Sequence, residues 1–417
     1  MRVRALAVGL LAALGCLPAW AQEPAFGGHL KAQAGVTHYR SDDLASVLGY
    51  DPAGDRQLDL RLKTSRRSGV WTFQADYELL ATAGDSLALR RRLSALGLLS
   101  TGSANGLPDD RRRLFDLTHT LSDQERRAAV HRLDRLSVAH QSEGRSLRFG
   151  RQAVSWGNGL VFQVLDFVNP FSPIAIDKEY KTGEDMLYGQ WLAGQGDLQF
   201  MIVPRRDTVT HEMESRESSL AVKWRLKALG GDVDVLAARH YDENLIGAGL
   251  VHNLGGAVWR FDVLHMNLAG RDGEYSLVTN LDYSWAWGGK NFYGYTEYFR
   301  SGVGATDRST YLAPGAALSA RLARGELFTL GRDYAAVGIR FEQTPLLNWN
   351  LNLIRNLDDH SAFWQLRAVY DWRQNLQLMA GVNLPDGARG TEYGGPATPQ
   401  GFLASGRSLY ARLGYYF

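Results

Sequence analysis

Trp71-Thr72-Phe73-Gln74-Ala75-Asp76-Tyr77-Glu78-Leu79 changes between apolar and polar at every step. A period of two puts Trp71, Phe73, Ala75, Tyr77 and Leu79 on one face of a strand and Asp76 and Glu78 on the other. The same alternation returns at Leu58, Leu60 and Leu62 against Asp59, Arg61 and Lys63, and at Leu220, Val222, Trp224 and Leu226 against Lys223 and Arg225. It returns again at Leu347, Trp349, Leu351 and Leu353 against Asn348, Asn350 and Asn352. A strand with one greasy and one charged face suits a wall between lipid and water.

Composition narrows the classes. The chain has 417 residues, 45% hydrophobic and 22% charged, with a formal net charge of +2, 45 glycines and one cysteine. That cysteine count excludes a disulfide scaffold, and the balanced charge removes the footprint of a nucleic-acid binder. A mean hydropathy of -0.25 excludes a helical membrane protein but not a barrel, whose alternating faces average out. A soluble β-rich protein and an outer-membrane barrel both remain.

The first residues set the compartment. Arg2 and Arg4 precede an apolar run, Ala5 to Leu17, that ends in Ala19-Trp20-Ala21. A basic start, a short apolar core and an A-x-A site make an export signal over 1–21, too short to span as a helix. Cys16 leaves with it, so the mature chain, 22–417, carries 44 basic against 44 acidic residues and no thiol. A lipoprotein reading would retain Cys16, but Ala13 stands where such sites want leucine.

Eighteen strands are expected, near 27–39, 56–64, 70–80, 130–141, 146–153, 184–193, 197–204, 217–227, 232–241, 245–253, 257–268, 274–287, 291–300, 333–342, 346–356, 362–372, 376–383 and 407–417. Alternation is poor at 130–141 and 245–253, so sixteen is the other count. Short connections alternate with longer ones, the largest at 81–129, 154–183, 301–332 and 384–406. Short turns on one side and long loops on the other describe a transmembrane antiparallel up-and-down β-barrel. Trp71, Trp191, Trp224, Trp259, Trp285, Trp287, Trp349 and Trp372 fall at the short-turn ends on apolar faces, as a headgroup girdle requires. A soluble sandwich has no reason to collect them there.

Leu409-Tyr410-Ala411-Arg412-Leu413-Gly414-Tyr415-Tyr416-Phe417 resembles the C-terminal assembly signal of Gram-negative outer-membrane barrels, with Leu409, Ala411, Leu413, Tyr415 and Phe417 as its alternating positions. The resemblance implies insertion by the barrel-assembly machinery and contact with outer-membrane lipids and lipopolysaccharide. Arg148-Phe149-Gly150-Arg151-Gln152, Ser155-Trp156-Gly157-Asn158-Gly159 and Asn169-Pro170-Phe171 are similar to segments of the alginate-export-type porin families. Those families imply passive transport of a solute. The motifs cover about a tenth of the chain and name no substrate.

A wall of this size encloses an aqueous lumen unless loops fill it. The inward basic residues are Lys31, Arg61, Lys63, Arg135, Arg148, Lys223, Arg225, Arg260, Arg340, Arg367 and Arg412; the inward acids are Asp59, Asp76, Glu78, Asp234, Asp262, Asp282, Glu297 and Asp371. This predicts weak anion preference at most; the bland alternative is that these charges only solvate and brace the interior. Asn158-Gly159 can make a tight reversal with positive φ. The run Val161 to Ile176 after it is too apolar for an exposed loop, and Pro170 and Pro173 bar a continuous element. It is expected to fold inward and narrow the pore, presenting Arg148, Arg151, Asp166, Asn169, Asp177, Lys178, Glu179 and Lys181; packing over the rim is the alternative.

Segment 81–129 holds two arginine triplets, Arg90 to Arg92 and Arg111 to Arg113, and a helical leucine spacing. It reads as a solvated loop or a binder of lipopolysaccharide phosphates. The 384–406 loop reads as flexible. Arg239, His265, Asn267 and Thr279 are polar residues on the lipid face. No H-E-x-x-H pair, G-x-S-x-G turn, phosphate-binding glycine loop or plug domain appears, which argues against an enzyme, a cofactor and energised uptake. The expected function is a passive outer-membrane channel for small polar or anionic solutes; the rival is a non-conducting barrel, an anchor or scaffold for an export or assembly system.

Overall fold

The computed structural model describes residues 25–99, 105–175, 179–267 and 273–417; the export signal, Cys16, Asp177 and Lys178 lie outside them. Eighteen antiparallel strands close into one barrel. They are β1 Ala25–His38, β2 Ala53–Ser68, β3 Trp71–Gly84, β4 Arg127–Ser142, β5 Arg145–Gln152 and β6 Glu184–Ala193, then β7 Gly196–Val203, β8 Ser219–Ala228, β9 Gly231–His240, β10 Glu243–Leu254, β11 Ala257–Asn267 and β12 Glu274–Trp287. The last six are β13 Lys290–Arg300, β14 Asp333–Thr344, β15 Leu347–Asn356, β16 Ala362–Arg373, β17 Leu376–Asp386 and β18 Arg407–Tyr416. Each pairs with its sequence neighbour, and β18 returns to β1 through Ala411 opposite Ala34. Closure leaves no free edge, the condition for a sheet in lipid. A short strand, Thr118–Gln124, pairs with the first half of β4 and extends the position that β5 occupies lower down.

The tryptophans expected at the short-turn end stand outward there, Trp71, Trp191, Trp224, Trp287 and Trp372 among the exposed ones, while Trp364 marks the opposite rim. Polar lipid-face residues are matched locally: Trp259 Nε1 donates to Thr279 Oγ1 at 2.9 Å.

Both strands with poor alternation exist, and each has a physical reason for breaking the pattern. In β4, Asp76 pairs with Arg135 but Tyr77 pairs with Leu133, so Asp134 is a bulge. A bulge inserts one residue and flips the phase: 128, 130, 132 and 134 are buried before it, and 135, 137 and 139 after it. In β10, Leu245 is buried and Ile246 is exposed. Both are apolar because the inner face at this height packs protein rather than water.

Candidate functional site

Segment 153–183, between β5 and β6, enters the barrel and crosses it. Gly157 adopts a left-handed φ of 99°, and a Cβ on Gly159 would lie 1.7 Å from the carbonyl oxygen of Phe162. The expected positive φ at Asn158-Gly159 is therefore corrected: it falls on Gly157, and Gly159 is needed because the next turn folds directly over it. Trp156, Val161, Phe162, Val164, Leu165 and Phe167 are buried against inward residues of the wall, among them Met186, Met201, Leu236, Leu245, Leu264 and Phe299. Phe162 stacks on Phe299 with ring centroids 4.5 Å apart.

Two carboxylates of the wall hold this turn by its backbone. Glu297 on β13 accepts the N–H groups of Leu160, Val161 and Phe162 at 2.6, 3.0 and 2.7 Å, and the Asn280 side chain at 3.1 Å. Asp262 on β11 accepts the N–H and side-chain amide of Asn158 at 2.6 and 2.7 Å. A turn inside a barrel has orphan donors that water cannot reach, and acceptors on the wall satisfy them.

The returning half is held across the lumen. Lys181 Nζ donates to both Asp166 carboxylate oxygens (2.5 and 2.6 Å) and to the Val154 carbonyl (2.6 Å), tying the two ends of the segment together. Asn169 donates to the Thr182 carbonyl at 2.9 Å. Glu179 accepts from Lys31 Nζ and the Tyr416 hydroxyl, each at 2.8 Å. The Tyr180 hydroxyl accepts from Lys63 Nζ at 2.9 Å, and the Arg61 guanidinium lies 4.5 Å from its ring centroid. Gly183 N–H donates to Asp134 at 3.0 Å. Between these halves, Gln365 of β16 donates to the Ile174 carbonyl at 3.1 Å.

Asp134 is the hub of a buried charge cluster. It accepts from Arg61 at 2.9 Å, from Arg135 at 2.5 Å, and from Arg132; Glu78 accepts from Arg61 at 2.5 Å and pairs with Arg132 at 3.2 Å. Neither Arg132 nor Asp134 is legible as an inward residue while the bulge is unknown, and parity alone assigns Arg135 without them. Arg151 is fully buried, donating to Asp185 (2.8 and 3.0 Å), Asp110 (3.1 Å) and the Phe115 carbonyl (2.7 Å). It anchors the 105–117 loop rather than facing solute. Glu184 and Asp185, at the start of β6, are partners of Arg113 and Arg151.

The other inward cations divide into two groups. Arg225 forms a double hydrogen bond with Asp234 at 2.7 and 2.8 Å, Arg260 pairs with Asp282, and Lys223 lies 5.4 Å from the Trp156 ring centroid. Arg340, Arg367 and Arg412 line a cavity of about 470 Å³ with Asn348, Asn350 and Asn352. Arg148 stands inward on β5 between the exposed Leu147 and Phe149. The 470 Å³ cavity shares Ala175 and Arg412 with a second of about 540 Å³ beside Lys31, Gln33, Gln57 and Asp59. That one shares Arg90 and Gly106 to Pro108 with an outer vestibule of about 910 Å³, where Arg112, Arg205 and Arg324 surround Tyr241. Segment 153–183 lines all three directly, the first through Leu160, Val161 and Pro173, the second through Ala175 and the vestibule through Val168, Asn169, Pro170 and Phe171.

Two sequence expectations change in the outer loops. The second arginine triplet is engaged in ion pairs, Arg111 with Asp109, Arg112 with Glu217 and Arg113 with Asp110; Arg112 and Arg113 brace the vestibule, while Arg111 stays exposed to the medium. The 384–406 loop is ordered: Arg389 pairs with Asp42 and with Asp43, and Glu392 accepts from Tyr334 (2.5 Å), Asn356 (2.8 Å) and Leu330 N–H (2.8 Å). Burial pushes the Glu392 carboxyl up to about 7. Ser219, His240 and Glu326 form a Ser–His–Glu chain with contacts of 2.7 and 3.1 Å. Ser219 is buried with its hydroxyl held by Arg205 at 2.6 Å, so the chain ties the 301–332 loop to the rim.

No family model matches the chain, and no curated protein is similar to it. Solved structures are similar across nearly the whole length. OccAB2 of Acinetobacter baumannii matches with a TM-score of 0.54 at 10% identity, over 96% of this chain and 99% of that one. A BenF-like porin from Pseudomonas fluorescens Pf-5 matches at 0.50 and 11%, over 96% and 100%. Wzi of Escherichia coli, described as a carbohydrate-binding β-barrel involved in group 1 capsule assembly, matches at 0.54 and 10%, over 99% and 87%. With its closed wall, outward tryptophan girdle and long-loop end, the chain has the fold of the porin-like barrels of the Gram-negative outer membrane.

Proposed function

We propose that the protein is a passive outer-membrane channel for small polar or anionic solutes, narrowed by segment 153–183. The carrying observation is three neighbouring cavities with lining residues in common, with Arg90, Lys31, Arg412, Arg367 and Arg340 on their walls. Ala175 and Arg412 line both the 470 Å³ and the 540 Å³ cavity, which supports a narrowing at their level. Cations in a water-poor lumen favour anions by simple electrostatics. The asparagine row of β15 adds neutral donors and acceptors suited to hydroxyl groups.

Planar-bilayer conductance of the refolded chain in a KCl gradient tests this. Discrete openings with mild anion preference are expected, and Arg367→Glu with Arg412→Glu should move the reversal potential toward cation preference. A folded, silent barrel would overturn the channel. One observation favours the rival, a non-conducting anchor or scaffold: the apolar face of segment 153–183 fills much of the lumen with a protein core. Silence from both the native chain and a 160–175 deletion would support that reading.

A further inference from the structure

A concavity of about 990 Å³ is on the lipid side of the wall and spans β16–β18 and β1–β4. Its floor is a row of short side chains in direct register across adjacent strands: Ala380 faces Ala411, Ala411 faces Ala34, and Ala34 faces Arg56. Arg56 then faces Ala83, and Ala83 faces Arg127. Elsewhere larger side chains, among them Leu, Trp, Tyr, Phe, Val and Ile, stand out from the lipid face of the wall. Here methyl groups let the surface recede, and the row climbs from mid-wall on β18 to the long-loop rim on β2 and β4.

The two arginines give the groove a chemical sense. Arg56 and Arg127 are exposed, lie at the rim on the lipid side, and flank Ala83 two strand spacings apart, about 10 Å. Arg239 and Arg300, also lipid-facing at this rim, are each closed by an aspartate, Asp242 and Asp333. Arg56 and Arg127 have neither an ion pair nor a side-chain hydrogen bond among the described residues. A guanidinium at this level satisfies its donors on phosphate, often bidentately. An apolar trough below two such groups matches a phosphorylated, multiply acylated lipid: chains in the trough, phosphates at the rim.

We infer that this groove is a binding site for lipid A, the phosphorylated glycolipid of the outer leaflet. The site is separate from the lumen, and solute passage does not depend on it. Lipid A replaces ordinary acyl chains there because Arg56 and Arg127 reward its phosphates, and the alanines allow its chains closer to the wall than bulkier side chains would. Arg112 and Arg113 of the external triplet are paired with Glu217 and Asp110, and the rim pair supplies the phosphate contacts.

Native mass spectrometry of the refolded mature chain with hexa-acylated bisphosphoryl lipid A tests the assignment, with phosphatidylglycerol as competitor. One lipid A per barrel is expected, retained at least tenfold better than phosphatidylglycerol. Arg56→Ser combined with Arg127→Ser should reduce retention tenfold or more, and so should Ala411→Phe, which fills the trough without touching a charge. Arg355→Ser, on the same rim but outside the groove, should leave it unchanged. Each variant is lipid-facing, and heat-modifiable migration on a gel verifies that it is folded. Equal retention of both lipids, or unchanged retention in both groove variants, overturns the site. A two-chain mass that Ala411→Phe converts to one chain would show that a second copy fills the groove, and also overturns it.

Discussion

Asp134 shows how one residue can govern a barrel interior. Three arginines and the Gly183 N–H converge on a carboxylate with no exposed surface. Removing one partner from such a cluster leaves buried charge uncompensated, so Asp134→Ala should cost about 3–5 kcal/mol, read as a lowered urea midpoint of the refolded barrel. Glu392 acts by protonation. Its folded value of about 7 is above the ordinary 4.5, so the folded loop holds the proton more tightly than the unfolded chain does. Its contribution is complete below about pH 4.5, falls as the pH rises, and is lost above about 7. The protection factors of amides 391–394, with the intrinsic exchange rate divided out, should therefore be lower at pH 8 than at pH 5, and Glu392→Gln should flatten that dependence. Gly159→Ala forces a methyl onto the Phe162 carbonyl, and tryptophan emission from Trp156 should report the loosened turn.

At the scale of the element, segment 153–183 behaves as an internal domain with its own core. The reading of 161–176 as too apolar for an exposed loop locates it, because an apolar run must find a partner surface. The receiving surface is invisible in the sequence, since Met186, Met201, Leu236 and Leu245 come from four different strands and each looks like a lapse in alternation. Glu297 and Asp262 look like ordinary inward acids for the same reason. Glu297→Ala would leave three buried N–H groups unpaired, each costing about 1–3 kcal/mol. The expected result is a larger, noisier single-channel conductance in a barrel that still migrates as folded. Deleting 160–175 should raise conductance further. The 387–406 connection was hidden differently: its glycines and prolines mask the Thr391-Glu392-Tyr393 anchor, which makes sense only beside Tyr334 and Asn356.

At the scale of the whole molecule, the wall is thin and the interior is divided. A protein core built around Trp156, Phe162 and Leu165 fills part of it, and polar cavities with basic lining run beside that core. Under the proposed channel function, this division makes selectivity a property of a few residues. Exchanging Arg367 and Arg412 for glutamate should shift the reversal potential, whereas Arg225→Gln, bound to Asp234 on the packed side, should alter stability more than selectivity.

The sequence by itself determined the barrel, the inward parity of most charged residues and the tryptophan girdle, and left the strand count between eighteen and sixteen. These follow from a period of two, which every strand must obey when one face meets lipid. Tertiary structure alone decided where that parity flips, which cations are neutralised and which side of the lumen stays open. Those outcomes depend on contacts between residues more than a hundred positions apart, such as Lys31 with Glu179 and Asn158 with Asp262. The physical reason is that strand faces are set locally by solvent, whereas charge compensation and loop packing inside a closed wall are set by whichever strands closure brings opposite one another.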